Sequence, residues 1–250
     1  MAAHFLSRAR LRQDASVAAI APQLLPDEDS ARANAAHRLI WSLFAGDAQA
    51  ERCFLFRETQ APGRLGERAT FMVLSDRPPD ANHPVMEVET KPFAPVLARG
   101  DRLQFSLRAN ATVTRNDANG RLKRHDVVMD ALTRAGIAAG ARAEKRRAVI
   151  YEAGLDWLTR QGDKGGFRPV ISALADADDD DDDEDVGSPM RIDGYNRWSF
   201  ARLGPKGSIS VLDFDGLLEV TDPQLFRAQL GKGFGRAKAY GCGLMLIRRA

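Results

Sequence analysis

The stretch that decides the fold covers residues 208–247 and reads SISVLDFDGLLEVTDPQLFRAQLGKGFGRAKAYGCGLMLI. Its opening, up to Val220, is rich in apolar and β-branched residues and predicts one long strand. Asp222 and Pro223 then carry the usual signals for the start of a short helix, an N-cap followed by a proline in the first turn. Gly243–Ile247 predicts a closing strand. A strand, a helix and a strand in this order form the second half of a ferredoxin-like domain.

The residues before this stretch supply the first half of the same domain. Apolar and polar residues alternate from Asp101 to Ala109, which predicts a strand. Apolar residues at helical spacing predict a helix over Glu144–Gln161, and Phe167–Ile171 predicts a second strand. The complete order β-α-β-β-α-β is the ferredoxin-like pattern.

The residues up to Pro95 repeat this pattern less clearly. Phe5–Leu11 alternates like a half-buried strand, and Ala31–Ala45 has apolar residues at helical spacing. The next segments predict three further strands, with a poorly formed second helix before the last one. These strands are expected at Cys53–Phe56, Thr70–Leu74 and Val85–Glu89.

The start of the first helix has several candidate caps. Pro22 and Pro26 give the preceding segment a turn-like composition. Asp27, Asp29 or Ser30 could each accept hydrogen bonds from the first helical N–H groups. The segment between the first strand and this helix is therefore predicted to be irregular.

Both halves together predict an α+β fold of two tandem ferredoxin-like (RRM-like) βαββαβ domains. The proline-rich segment Lys91–Pro95 marks the boundary, which divides the chain into residues 1–95 and 96–250. This fold serves many functions, so it does not by itself indicate one.

The negative charge of the chain is concentrated in one short segment. The 250 residues carry a formal net charge of +2, yet nine acidic residues crowd into residues 176–185. Removing nine negative charges from +2 leaves a body with a charge of +11. Consecutive aspartates repel one another, so this segment is predicted to be a solvated acidic loop. A basic body is typical of proteins that bind nucleic acid, although basic surfaces also occur on proteins that bind none.

The remaining composition argues against several classes of protein. No run of about 18 apolar residues is present, so no membrane span is predicted. The N-terminus lacks the apolar segment of a secretory signal. The two cysteines, Cys53 and Cys242, make neither a disulfide framework nor a zinc site, and no acidic cluster has convincing metal-ligand spacing. These features predict a cytoplasmic protein without a bound metal.

Residues 231–243 form a glycine-rich loop with interleaved cations. Backbone N–H groups next to glycines can approach a phosphate closely, and basic side chains neutralise it. The dinucleotide-binding motif is excluded because a helix precedes the loop and a strand follows it, and the Walker loop is excluded because Gly-Lys-Ser/Thr is absent. A phosphate contact and a plain tight turn remain as alternatives. The residues concerned are Lys232, Gly233, Gly235, Arg236, Lys238, Gly241 and Gly243.

This loop resembles the glycine-rich loop of the CRISPR RNA-processing endonucleases, and most of all that of the CasE branch, the processing subunit of type I-E Cascade. The resemblance extends through the chain in the family order, and the acidic loop looks like an insertion. The other matching blocks are Phe5–Arg8, His37–Phe44, Phe54–Arg57, Phe105–Asn110, Gly120–Arg124 and Phe214–Leu218.

The resemblance implies a metal-independent endoribonuclease that cleaves the stem-loop of CRISPR repeat RNA. The RNA would supply its own nucleophile, a 2′-hydroxyl, and the products would carry a 5′-hydroxyl and a 2′,3′-cyclic phosphate or 3′-phosphate. Family members use a histidine on the first helix, and the matching position is His37. A histidine suits this chemistry as base or acid because its pKa lies near neutral pH. The other histidines have no such match: His4 lies near the N-terminus, His83 in a loop with no evident partner, and His125 in the basic segment.

Two further residues are candidates for the catalytic site. Relatives often place a tyrosine three residues before the histidine, where this chain has Asn34. An asparagine can donate a hydrogen bond to a phosphate but cannot exchange a proton. Lys164, in a glycine-flanked loop after a helix, could stabilise the pentacoordinate phosphorane or be an ordinary solvated lysine.

Basic residues outside the glycine-rich loop are candidates for gripping the RNA stem. Arg121, Lys123 and Arg124 lie near the turn of a basic segment, from which side chains can follow phosphates without reading the base sequence. Arg108 is a further candidate, which could point into the groove between the two domains or face solvent. A second basic cluster opens the long helix and comprises Arg142, Lys145, Arg146 and Arg147.

The resemblance also implies the partners: a CRISPR repeat RNA hairpin and the other Cascade subunits, with no membrane and no small-molecule cofactor. Two alternatives stay open. The chain could be a non-catalytic RNA-hairpin-binding module on the same scaffold, which Asn34 makes plausible. It could also be a nucleotide-handling enzyme that uses the glycine-rich loop, which predicts saturable binding of ATP or NAD.

Overall fold

The computed structural model describes residues 4–44, 51–60, 69–117, 119–136, 142–171, 190–199 and 208–250. The strands, numbered in chain order, are β1 (His4–Leu11), β2 (Phe54–Gln60), β3 (Thr70–Ser75), β4 (Met86–Phe93), β5 (Arg102–Ala109), β6 (Thr112–Asn116), β7 (Leu122–Asp126), β8 (Phe167–Val170), β9 (Arg191–Ser199), β10 (Ser208–Val220) and β11 (Met245–Arg249). The helices are α1 (Ala15–Leu24), α2 (Asp29–Ser42), α3 (Val127–Arg134), α4 (Arg142–Gly165) and α5 (Pro223–Lys232).

The chain folds into two compact units. The first unit comprises residues 1–96, 198–208 and 237–244, and the second comprises residues 97–197, 209–236 and 245–250. The second half of the glycine-rich loop therefore belongs to the first unit. The domain boundary between residues 95 and 96 stays a prediction.

The first unit is built on a four-stranded antiparallel sheet in the order β2-β3-β1-β4. Both α1 and α2 lie in the connection from β1 to β2. This strand order is that of a ferredoxin-like domain, in which the first strand is central. The core is formed by apolar side chains of the helices and one face of the sheet, among them Val17, Ile40, Leu43, Phe54, Phe56 and Phe71.

The second unit has an antiparallel sheet in the order β11-β5-β10-β8, with β9 paired to β10. Helix α4 leads into β8, and α5 connects β10 to β11, which completes the βαββαβ pattern. The two sheets confirm the prediction of tandem ferredoxin-like domains. A separate hairpin of β6 and β7, followed by α3, is inserted between β5 and α4.

The segment after β1 is helical and not irregular, so the prediction from its two prolines is wrong. Helix α1 begins after Asp14, whose carboxylate accepts a backbone N–H at 3.0 Å. The helix is rich in alanine, which has the highest helix propensity, and Pro22 interrupts only its last turn. At α2 the cap is Glu28, which accepts from the N–H groups of Ser30 and Ala31. None of the three predicted caps fills this position.

Other differences concern short segments. Residues 76–85 form turns and bends between β3 and β4, so the predicted second helix of the first unit is wrong; its three prolines oppose a helix. Helix α3 and strand β9 were not predicted. The predicted acidic loop at residues 176–185 lies outside the described residues. Within the described part of the chain, no helix is both long and apolar enough to cross a membrane.

His83 is buried in the first unit and has two partners, contrary to the expectation of a loop residue with none. Its Nδ1 accepts the N–H of Val85 at 3.3 Å, and its Nε2 lies 3.0 Å from Oγ of Ser42. Because that hydroxyl already donates to the carbonyl of Leu39, Nε2 is the donor. The contact of Nδ1 requires the neutral imidazole, because a protonated Nδ1 cannot accept, and burial lowers the pKa of His83 from its ordinary value of 6.5.

We expect acid to weaken the fold through His83. Its stabilising contribution is complete above pH 6.5, where the imidazole is neutral in both states. Below this pH the unfolded chain binds the proton more readily, so the free energy of unfolding falls until the pH reaches the lowered folded pKa. Urea unfolding from about pH 7.5 to about pH 5 measures this slope. His83→Gln should reduce it, with a remainder from His37, and equal slopes in both proteins would contradict the prediction.

Candidate active site

His37 lies on α2 among aromatic side chains of the first unit. Its ring centroid is 5.9 Å from that of Trp41, one turn further along the helix. On β2, the ring centroids of Phe54 and Phe56 lie 6.0 and 6.2 Å from it. The imidazole is therefore half-buried at the contact between α2 and β2.

An ion pair fixes α2 on β2. Nε of Arg32 donates to the carboxylate of Glu58 at 2.9 Å, and the same guanidinium reaches the backbone carbonyls of Leu25 and Pro26. The carboxylate raises the pKa of Arg32. Both side chains are largely buried, so this pair sets the position of the helix more firmly than an exposed pair would.

The surroundings of His37 favour its neutral form. Its Nδ1 is buried and has no hydrogen-bond partner among the described residues. Burial lowers the pKa of His37 from 6.5, and the positive charge of Arg52 lowers it further. The imidazole is therefore neutral at neutral pH and can accept a proton. Because Nδ1 is enclosed, Nε2 is the nitrogen left to meet a substrate.

The second half of the glycine-rich loop packs on the same helix and strand. Ala237 adopts the left-handed conformation, with φ 56°, and leads into a 3₁₀ turn at Lys238–Tyr240 that contacts α2 and β2. Such backbone strain at a non-glycine residue is typical of functional sites. Gly241 follows, and a Cβ at this position would lie 3.5 Å from the ring of Phe56. The loop thus reaches the aromatic ring that also flanks His37.

Lys238 brings a second cation into this region. Its side chain is half-buried, and burial lowers its pKa. The charge of Arg52 lowers the pKa of Lys238 further, as it does for His37. Arg52 therefore acts on two other basic side chains of the first unit, His37 and Lys238.

The first half of the glycine-rich loop serves the packing of the second unit. The N–H of Arg236 donates to the carbonyl of Asn110 at 3.4 Å, at the end of β5. Gly235 has φ 67°, and a Cβ there would lie 2.9 Å from the same carbonyl and 3.2 Å from the ring of Trp157. Lys232 is exposed in the last turn of α5, and Gly233 ends that helix. Glycine is therefore required in this half of the loop for the close approach to Asn110 and for ending α5. The phosphate contacts of these glycines stay a prediction.

The two other predicted catalytic residues have different positions. Nδ2 of Asn34 donates to the carbonyl of Ser30 at 3.1 Å, so its amide is bonded within its own helix. Lys164 lies exposed in the last turn of α4, in the second unit, so its placement in a loop is wrong. The helix continues past the predicted end because Gly162 lets it approach β8: a Cβ there would lie 2.4 Å from the carbonyl oxygen of Phe167. The catalytic roles of both residues stay predictions.

The predicted RNA-binding cations of the hairpin are exposed. Arg121, Lys123 and Arg124 lie on or next to β7, and the hairpin turn is closed by the carboxylate of Asp117, which accepts the N–H of Arg121 at 2.9 Å. These three side chains are free of the core and accessible to a polyanion.

The other predicted RNA-binding cations are partly engaged. Arg108 forms a two-point ion pair with Asp213 on β10, with both distances 2.8 Å, which neutralises its charge on the sheet. Arg146 stacks over the ring of Tyr195 at 5.2 Å, and Arg147 is exposed. The side chains of Arg142 and Lys145 lie outside the described residues.

Sequence comparison decides the family. The profile of the family described as "CRISPR associated protein" matches residues 4–249. The chain belongs to this family. The CRISPR-associated endoribonuclease Cse3 of Thermus thermophilus is 31% identical over 164 residues, which cover 63% of this chain and 60% of the relative. The matched region thus spans less than two thirds of that relative's length.

Solved structures of CRISPR-associated proteins share the fold. Thermus thermophilus Cse3 bound to an RNA that represents a pre-cleavage complex superposes with a TM-score of 0.63 at 22% identity, covering 98% of this chain and 99% of that one. A chain of a CRISPR RNA-guided surveillance complex superposes with a TM-score of 0.55 at 16% identity, covering 98% and 100%. These likenesses concern the fold.

Arg52 is the site residue of this CRISPR-associated protein that sequence reasoning missed. It stands two residues before Phe54, so the alternation of the strand places it next to the face that carries Phe54 and Phe56. The two-residue spacing from Arg52 to Phe54 is visible in the sequence. It indicates a site residue only when Phe54 and Phe56 are known to contact His37. Within the described ranges, no three His, Cys, Asp or Glu side chains are grouped so as to hold a metal ion.

We expect Gly235→Ala to destabilise the CRISPR-associated protein by about 2–4 kcal/mol, because a Cβ collides with the Asn110 carbonyl in addition to the backbone strain. Gly120→Ala is the matched control: its φ of 72° is similar, but no atom lies within 4 Å of the new Cβ. The control should cost about 1–2 kcal/mol. Urea unfolding measures the free energy of unfolding of both variants. An equal decrease in the two would show that the close approach at Gly235 does not contribute to stability.

Proposed function

We propose that this CRISPR-associated protein is a metal-independent endoribonuclease that cleaves repeat stem-loops in precursor CRISPR RNA and remains bound as a Cascade subunit. Family membership supports this proposal, as does the endoribonuclease activity in the name of the Thermus thermophilus relative. The observation that carries it is the neutral, half-buried imidazole of His37, with Arg52 near enough to lower its pKa and with the turn of Lys238 packed on the same helix. This arrangement provides a proton acceptor and positive charge in one place.

The proposed reaction is an internal transesterification of the RNA. The 2′-hydroxyl gives its proton to Nε2 of His37 as its oxygen attacks the adjacent phosphorus. The bond from phosphorus to the 5′-oxygen breaks, and that oxygen takes a proton from water. The products are a 5′-hydroxyl end and a 2′,3′-cyclic phosphate, which opens to a 3′-phosphate if water attacks it.

The structure favours the base over the acid among the two roles proposed for His37. A general acid must carry a proton before the reaction, whereas burial and Arg52 both oppose protonation here. We propose that Lys238, in the turn that contacts α2 and β2, stabilises the negative charge of the pentacoordinate phosphorane. Asn34 and Lys164 remain proposed contributors to the reaction.

The proposed contacts with the RNA are electrostatic and lie along the phosphates of the stem. Exposed cations on the β6–β7 hairpin can contact phosphates, and the glycine-rich loop adds backbone N–H groups and further cations. The proposed contacts are Arg108, Arg121, Lys123, Arg124, Lys232, Gly233, Gly235, Arg236, Lys238 and Gly241. A location in the reducing cytoplasm is proposed as well, since neither Cys53 nor Cys242 forms a disulfide.

The decisive experiment is cleavage of a labelled repeat hairpin in excess EDTA. We expect wild type to make one cut that leaves a cyclic phosphate, and His37→Ala to be slower by about 10²–10⁴-fold with hairpin binding retained. His4→Ala, on β1, is the matched control and should cleave like wild type. Binding without cleavage by wild type would indicate the non-catalytic RNA-binding module instead. Cleavage that survives His37→Ala would exclude His37 as the base.

The pH dependence distinguishes a base from an acid. If His37 is the base, kcat/KM should rise with pH and reach a plateau, with the midpoint of the rise below 6.5 because the pKa in the free protein is lowered. Cleavage under subsaturating conditions from about pH 5 to about pH 8 measures this profile. A rate that falls as the pH rises through this range would assign His37 the role of the acid.

A further inference from the structure

We propose that Arg52 is a catalytic residue: its guanidinium binds the scissile phosphate beside His37 and, together with Lys238, holds the phosphorane. This inference rests on the proposed nuclease function and adds to it a residue that the motifs did not indicate. Three independent features of the first unit lead to it.

The first feature is the position of Arg52 at the entrance to β2. The N–H of Asp76, just after β3, donates to the carbonyl of Cys53 at 3.1 Å, so the extended pairing of β2 with β3 continues one residue before Phe54. In an extended chain, residues two apart share a face. Phe54 and Phe56 both contact the ring of His37, and Arg52 is the next residue on their side of the strand.

The second feature is the turn that closes over the same place. The 3₁₀ turn at Lys238–Tyr240 contacts both α2 and β2, and Gly241 lies against Phe56. The helix with His37, the strand that Arg52 precedes and the turn with Lys238 therefore meet at one point of a single unit. The Arg52 side chain is exposed there and accessible to a substrate.

The third feature is the electrostatic relation among the three side chains. Arg52 lowers the pKa of both His37 and Lys238, so its charge acts on each of these side chains. Glu58, the acid on β2, is already paired with Arg32. Arg52 and Lys238 repel each other in the free protein, and an anion that binds between them makes their proximity favourable.

The chemistry of the reaction matches such a cluster. Charge accumulates on the phosphate oxygens as the 2′-oxygen attacks, and a guanidinium can donate two parallel hydrogen bonds to them. Arginine stays charged throughout, so Arg52 transfers no proton and the proton from the 2′-hydroxyl still goes to His37. The charge of Arg52 also favours the neutral imidazole of His37 in the free protein, before the phosphate binds.

The test is single-turnover cleavage of the labelled repeat hairpin in EDTA by wild type, Arg52→Gln and Arg52→Lys. We expect Arg52→Gln to slow cleavage by about 10²–10³-fold while hairpin affinity changes less than about tenfold. Arg52→Lys should recover part of the rate, since it restores the charge without the fork. Arg99→Gln, which removes an exposed charge between β4 and β5, is the matched control and should cleave like wild type.

A second readout separates catalysis from structure. Without the guanidinium, the acid limb of kcat/KM should move to higher pH in Arg52→Gln, and an NMR titration of the free protein should show the pKa of His37 raised in parallel. A wild-type rate in Arg52→Gln, or a slower rate with an unmoved acid limb and unmoved His37 titration, would overturn the inference and leave the proposed nuclease intact. Failure of wild type itself to cleave would overturn both.

Discussion

The packing of α2 against the aromatic side chains of β2 is the contact on which the candidate site depends. Phe54 and Phe56 belong to the core of the first unit and at the same time flank the ring of His37, whose Nδ1 is buried. The ion pair of Arg32 with Glu58 holds the helix in register on the strand. Because protein interiors are closely packed, the burial that stabilises this unit also sets the protonation state of the proposed base.

The charges of this protein are arranged differently at the site and elsewhere. On the sheet of the second unit Arg108 is paired with Asp213, and on the β6–β7 hairpin Arg115 is paired with Asp130 of α3. Around His37 the charged neighbour is another cation, Arg52. Ion pairs such as these position elements, whereas a cation next to a neutral imidazole is suited to receive a phosphate.

The glycine-rich loop combines two tasks along a few residues. Its first half binds back to its own unit, where Gly235 permits the close approach to the Asn110 carbonyl. Its second half crosses into the first unit and places Lys238 on α2 and β2. The alternatives of a turn and a phosphate contact are thus compatible, because different residues of one loop carry them.

The sequence alone predicted the four strands of each ferredoxin-like pattern, the helix that carries His37 and the family, because strand alternation, helical spacing and the glycine motif are local patterns. Sequence-based prediction failed in two places where the local signal was weak. Helix α1 was not predicted because it contains Pro22. The last turn of α4, which carries Lys164, was not predicted because it depends on the close approach of Gly162 to β8. Only the tertiary structure decided the chemistry of the site. The protonation state of His37 and the role inferred for Arg52 arise from burial and charge between residues distant in the chain, and such long-range contacts leave no periodic trace in the sequence.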